Sequence, residues 1–201
     1  MTRFSKTLLS ISLLLFTVVA HAEANPKVMV EGAINQMLQE LEANKGKIAE
    51  DKQVVRGIVE RVILPNMASN TIARRVMGKY ARQASDEQKS RFAEAFKGYM
   101  IRFYSNAFAE YTNETVDFLD APDFEGEKRV TVRTRLNRAS GAPIPIDYEM
   151  QRSGSSWKIV DVKIEGISLV ISNRSQFGGS ISRDGLDTVI AKLEYKNETE
   201  S

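Results

Sequence analysis

Few side chains in this sequence could do chemistry, and their spacing narrows what that chemistry could be. Tyr148 stands in the run Ile146-Asp147-Tyr148-Glu149-Met150, and Tyr104 lies between Phe103 and Phe108 in a second aromatic run. A tyrosine hydroxyl beside a buried carboxylate is enough to shift a proton next to a carbonyl, as ketosteroid isomerases do. Strand parity works against that reading: Asp147, Glu149 and Asp161 alternate with apolar neighbours and fall on the polar side of their strands. Composition narrows the other routes. The chain has no Cys and one His, His21, and that His lies in a segment expected to be removed. Without imidazole or thiol there is no Ser–His–Asp triad, zinc site or thiol nucleophile. A carboxylate-only site for magnesium or calcium stays open, but no EF-hand run or Asp-x-Asp loop is present. No metal, no cofactor and no catalytic residue are therefore expected.

The removable segment is residues 1–22. Arg3 and Lys6 precede the apolar run "LLSISLLLFTVVA", which ends on Ala20-His21-Ala22. That order of basic, apolar and small-residue regions reads as a cleaved export signal, too short to span a bilayer comfortably. Removing 22 of the 201 residues leaves 179 from Glu23 onward, a length for one domain. The whole chain has 28 basic and 26 acidic residues; losing Arg3 and Lys6 balances them. A neutral chain lacks the cationic surplus that nucleic acid requires. Arg129, Arg133 and Arg135 share one strand face, and Asp147 and Glu149 on the next strand are expected to pair with them.

The apolar pattern divides the remainder into a helical part of about 26–112, a strand-rich part of about 115–172, a closing helix of about 183–196 and a flexible tail, 197–201. Val30, Ile34, Met37, Leu38 and Leu41 recur at helical spacing, as do Val55, Ile58, Val59 and Val62 before Pro65. A shorter helical stretch covers roughly 67–81. Ser85, with Gln88 three residues on, opens the longest helix with a capping box. Its face carries Phe92, Phe96, Tyr99, Met100, Phe103, Tyr104, Ala107, Phe108 and Tyr111, wider than the stripe one contact surface needs. Either two elements sandwich it, or part of it faces something outside the sequence.

Strand signals come next in Thr115–Asp120, Arg129–Leu136 and Ile144–Met150, and "RSGSS" turns the chain into Trp157. The segment "WKIVDVKIEGISLVISNRSQF" then changes step. Val160, Val162 and Ile164 are apolar on even positions, whereas Ile167, Leu169 and Ile171 are apolar on odd ones. Two causes fit. A bulge at Gly166 would bend one long strand, or Glu165-Gly166 is a turn between two strands. Leu186, Val189, Ile190 and Leu193 form the closing helix, with Ser182 or Asp184 as its cap. Helices followed by an antiparallel meander make an α+β fold: a curled antiparallel sheet against a long helix, with additional N-terminal helices and a C-terminal helix.

Leu64-Pro65, Gly78-x-Tyr80-x-Arg82-Gln83-Ala84, Glu87-Gln88, Phe92-x-x-Ala95-Phe96, Glu165-Gly166-Ile167-Ser168 and Gly185-Leu186-Asp187 occur in this order between about Pro26 and Leu193. In that order and spacing they resemble the MlaC, or toluene-tolerance, family of periplasmic phospholipid-binding proteins. Asn66 and Ala81 stand where that family often carries aromatics. The resemblance implies a nuclear-transport-factor-2-like curled sheet with extra helices, a single lipid-carrier domain over 23–196, and phospholipid as cargo rather than cofactor. It also implies the periplasm of a Gram-negative bacterium and two partners. These are an inner-membrane ABC transporter with its periplasmic lipid-binding ring and an outer-membrane lipoprotein–porin complex, between which lipid is shuttled to keep the outer membrane asymmetric.

A diacyl lipid carries about thirty methylenes, so exposing its tails costs on the order of 25 kcal/mol, and they must be enclosed. A cavity in the upper part of about 300–1,000 Å³ is expected. Its helical wall is expected from Met67, Val76, Met77, Tyr80, Phe96, Met100, Phe103, Tyr104 and Phe108. The sheet wall is expected from Val130, Val132, Ile146, Tyr148, Met150, Val162, Ile164 and Leu169. An isomerase-type enzyme on the same scaffold, or an adaptor with a filled core and no ligand, are the alternatives.

Overall fold

The computed structural model describes residues 24–110, 113–119 and 123–200. The expected export signal, Glu23, Tyr111 and Asp120 lie outside the described residues. Seven α-helices and five strands are found among them: α1 (Pro26–Ala43), α2 (Lys45–Glu50), α3 (Gln53–Val62), α4 (Ser69–Met77), α5 (Asp86–Ala109), β1 (Thr115–Phe118), β2 (Arg129–Asn137), β3 (Ile144–Ser153), β4 (Ser156–Ile164), β5 (Ile167–Ser168), α6 (Leu169–Asp184) and α7 (Leu186–Thr199). Three-residue and five-residue 3-10 turns, Leu64–Asn66 and Gly78–Arg82, flank α4. The fold is α+β, a curled antiparallel sheet on a helical layer.

Local chemistry accounts for the helix starts. Asn25 caps α1 by accepting from the Lys27 and Val28 amides at 2.9 and 3.3 Å, with Pro26 at the first helical position. At α5 the Gln88 amide donates to the Ser85 hydroxyl at 3.1 Å, and the Ser85 amide donates to the Gln88 side chain at 3.0 Å. That is the capping box the sequence predicts. Asn44 ends α1, but the chain re-enters a helix at once, so α2 lies where the sequence shows only a break.

The sheet is a meander in the order β1-β2-β3-β4-β5, every pair antiparallel. On its polar face Arg133 stands opposite Asp147 as expected, but Arg129 faces Gln151, Arg135 meets Asp117 of β1, and Glu149 binds Lys163 at 2.7 Å instead of an arginine of β2. After β4 the chain takes the second of the two expected courses, a turn, and then departs from expectation once. The Glu165-Gly166 pair is a tight turn with φ of 51° and 81°, both left-handed, which joins Ile164 to Ile167 across a hairpin. β5 then ends after two residues, and Leu169 begins a helix instead of continuing a strand. Ser168 supplies the reason, because its hydroxyl accepts the Ile171 amide at 3.0 Å as a helix cap. The strand-rich part therefore stops at Ser168, and α6 is an element that the apolar pattern did not disclose. The closing helix is correspondingly displaced to 186–199, behind Gly185 rather than Ser182 or Asp184, and takes in most of the expected tail.

The bulge lies elsewhere, inside β4. Glu149 pairs with Asp161 and Met150 with Ile159, leaving Val160 as the extra residue. Ile159, Val160 and Asp161 are consequently buried in succession, which strict alternation forbids.

Burial falls into three clusters. Met37, Leu41, Val55, Ile58, Val59, Val62 and Ile101 join α1, α3 and α5. The facing residues of α4, α5, α6 and α7 meet around Phe92, Phe96, Phe177 and Ile190. The sheet's apolar face, with Val132, Met150 and Trp157, packs under Val30 of α1.

Candidate functional site

β4 is where the sheet meets the helices. The Ala68 amide donates to the Ile159 carbonyl at 2.9 Å, and Met67 forms a parallel bridge to Ile159. The Arg75 guanidinium on α4 donates to the Val160 carbonyl at 3.1 Å, a group the bulge turns out of the ladder. Burial, and then the nearby Arg129, hold the Arg75 pKa below its ordinary value, although Glu149 and Asp161 oppose this. Arg174 of α6 donates to the Arg75 carbonyl at 2.6 Å and so ties α6 to α4.

Asp161 anchors the other side. One carboxylate oxygen accepts the Val162 and Val170 amides at 2.8 and 3.1 Å; the other accepts the Ser168 hydroxyl at 2.5 Å. This corrects the expectation from strand parity: Asp161 is not on the polar side but only 6% exposed, because the bulge shifts its register. A carboxylate at the first turn of α6 also complements that helix's positive end.

Within this frame Met67, Val76, Phe96, Met100, Val162 and Leu169 converge on one apolar gap, together with Ile72, Asp161, Val170 and Asn173. Six expected lining residues are thus brought together. The gap holds ≈ 20 Å³, room for about one water rather than the several hundred Å³ expected. Flexible Met67 and Met100 side chains occupy the junction.

The other expected residues surround this gap or lie elsewhere. Tyr104 is half-buried and hydrogen-bonded to Asn173; burial raises its pKa against that bond. Val132, Ile146, Tyr148, Val130 and Met150 belong to the sheet's apolar face with Trp157, and Ile164 is half-buried at the β4 end. Met77 and Tyr80 pack within the helical cluster. Phe108 packs toward α3 in the first cluster, and Phe103 is 57% exposed. Both departures reflect helix geometry, since a stripe as wide as that on α5 faces more than one neighbour. Sequence reasoning missed Ile72, one turn before Val76, a position the α4 periodicity could have exposed. It missed Val170 and Asn173 because α6 was not recognised, and Asp161 because a bulge leaves no compositional mark.

A family model described as the MlaC protein matches residues 31–195. The toluene tolerance protein ttg2D of Pseudomonas putida is 32% identical over 175 residues, covering 86% of this chain and 80% of that protein. The intermembrane phospholipid transport system binding protein MlaC of Haemophilus influenzae is 26% identical over 183 residues, covering 90% and 86%. Among solved structures, a phospholipid-binding protein from Ralstonia solanacearum in complex with a phospholipid superposes with a TM-score of 0.78 at 27% identity, covering 87% of this chain and 98% of that one.

Proposed function

The chain belongs to the MlaC family, and from that premise we propose that it is a non-catalytic phospholipid carrier of the Gram-negative periplasm, exported by a signal over residues 1–22. In this reading it takes lipid from or to an inner-membrane ABC transporter with a periplasmic lipid-binding ring. It exchanges with an outer-membrane lipoprotein–porin complex, and so maintains outer-membrane asymmetry. The observation that carries the proposal is the apolar gap between β4 and the α4–α6 helices. Its lining is mostly aliphatic, with Phe96, two methionines and the polar Asp161 and Asn173, and it sits on a seam between two separately packed clusters.

The seam explains how a gap of ≈ 20 Å³ can serve a diacyl lipid. Met67 packs against both the helical and the sheet clusters, so parting them leaves most of each intact. Every methylene that enters gains about 0.8 kcal/mol, which offsets the contacts surrendered along the seam. Val132, Ile146, Tyr148 and Ile164 would then form the sheet wall, and Phe96, Met100 and Tyr104 the helical one. Catalysis has no place in this reading, because Asp161 spends both oxygens on the Val162, Ser168 and Val170 donors.

Native mass spectrometry of the exported protein, followed by solvent extraction, tests the proposal. A phospholipid is expected at close to one per chain, either as purified or after incubation with vesicles. Recovering none under both conditions would sink the carrier reading.

A further inference from the structure

On a different face of α5 from the apolar gap, an open groove of ≈ 460 Å³ runs between the start of α3, the second half of α5 and the end of α7. We infer that this groove is a second binding site, for a phosphate group. Three features of unrelated origin converge there. Lys52 just before α3, Arg56 from α3, Arg102 from α5 and Lys196 from α7 line it, against one lining carboxylate among the described residues, Glu200. Their counter-charges are weakly held: Lys52 meets Glu110 at 3.1 Å, Arg56 meets Glu60 at 3.7 Å and Arg102 meets Glu200 at 3.0 Å, all through exposed carboxylates. The exposed Lys196 ammonium makes no ion pair among the described residues.

Beneath the cations lies Ser105, only 6% exposed, whose hydroxyl has no hydrogen-bond partner among the described residues. A buried hydroxyl left without a partner costs free energy unless something else completes it. The residue lines the groove's floor, and a small rotation of its hydroxyl toward the groove would let it donate a hydrogen bond to an anion's oxygen. Along one wall, Tyr99 and Phe103 stack with ring centroids 5.7 Å apart, and Phe103 stays largely in water. An apolar body, where the phosphate carries one, would cover that ring. A phosphate suits the set because its several oxygens can meet guanidinium, ammonium and hydroxyl donors at once. The groove is distinct from the seam, to which α5 presents Phe96 and Met100 instead.

Amide chemical shifts of the full exported chain, titrated with inorganic phosphate, dihexanoyl phosphatidic acid and dihexanoylglycerol, decide the matter. Saturable shifts at Ser105, Asn106 and Lys196 are expected with both phosphate probes and not with dihexanoylglycerol. Phosphatidate binding about tenfold tighter than phosphate assigns the site to lipid headgroups; equal binding assigns it to free phosphate, and either outcome supports a phosphate site. Lys196→Gln with Lys52→Gln, both exposed, are expected to weaken binding about tenfold while leaving cargo lipid in place. Absent shifts, shifts confined to Val162 and Val170, or affinity unchanged in the double variant would overturn the inference. Loss of cargo with these shifts intact would count against the carrier reading alone.

Discussion

Tyr148 places a phenol inside the sheet's apolar face, hydrogen-bonded to Thr134, whose own hydroxyl donates to the Ile146 carbonyl at 2.9 Å. Burial pushes the phenol up to about 12, from an ordinary 10.0, with the Thr134 bond opposing it. The sign depends on which state keeps the proton. Between pH 10 and 12 the folded chain holds it and the unfolded chain has lost it, so stability is fully present below pH 10 and falls as pH rises through that window. The loss amounts to about 2–3 kcal/mol. Denaturant melts across this range should show that slope in the wild type and a shallower one in Tyr148→Phe, where the half-buried Tyr104, also raised by burial, still contributes. Asp161 contributes differently, since it holds two amides and a hydroxyl at the head of α6. Asp161→Ala should cost about 2–4 kcal/mol by orphaning buried donors. Faster hydrogen exchange at Val170 and Ile171 would mark the loosened helix start. Neither role was legible from type alone. Tyr148's inward face is given by alternation, but Asp161's position depends on one extra residue, Val160, that no local composition announces.

α5 and α7 lie against each other closely enough that one glycine decides the fit. A Cβ on Gly98 would stand 2.4 Å from the Asn197 side-chain nitrogen and 2.6 Å from its Cγ. That amide cannot simply swing away, because it donates to the Ala95 carbonyl at 2.9 Å and accepts from Arg102 at 2.5 Å. Gly98→Ala gains up to about 1 kcal/mol in helix propensity yet should destabilise the protein by about 1–2 kcal/mol net. Adding Asn197→Ala should restore part of that loss, a coupling that a double-mutant cycle in urea would register. Element by element, legibility tracked how many signals agreed. α5 had a capping box and a long apolar face, and both appear in the structure. α6 misled because Ile167, Leu169 and Ile171 alternate like a strand, while its buried stripe, Val170, Asn173, Phe177 and Ile181, is spaced by three and four. The Ser168 cap and the left-handed Glu165-Gly166 turn settle the competition in favour of hairpin and helix. The two residues of β5 are too few to resist it.

At the scale of the whole molecule, the packing divides where the carrier reading needs it to divide. The helical cluster around Phe92, Phe96 and Phe177 is tied by edge and stacked ring contacts 5.6–6.1 Å apart. The sheet cluster is tied to α1 instead, with Trp157 donating to the Ala24 carbonyl at 2.9 Å. Between them run Met67, the apolar gap and a few polar tethers, so the carrier reading expects the molecule to open along this seam. A cargo that inserts there binds the folded chain and not the unfolded one, and must therefore raise the melting temperature with its concentration. The rise should grow with acyl-chain length, because each added methylene buries more surface. Glycerophosphocholine, a headgroup without tails, should leave melting unchanged. Calorimetry across a series of short-chain phosphatidylcholines separates the two contributions: a shift independent of chain length would place the binding energy in the headgroup and remove the reason for the seam.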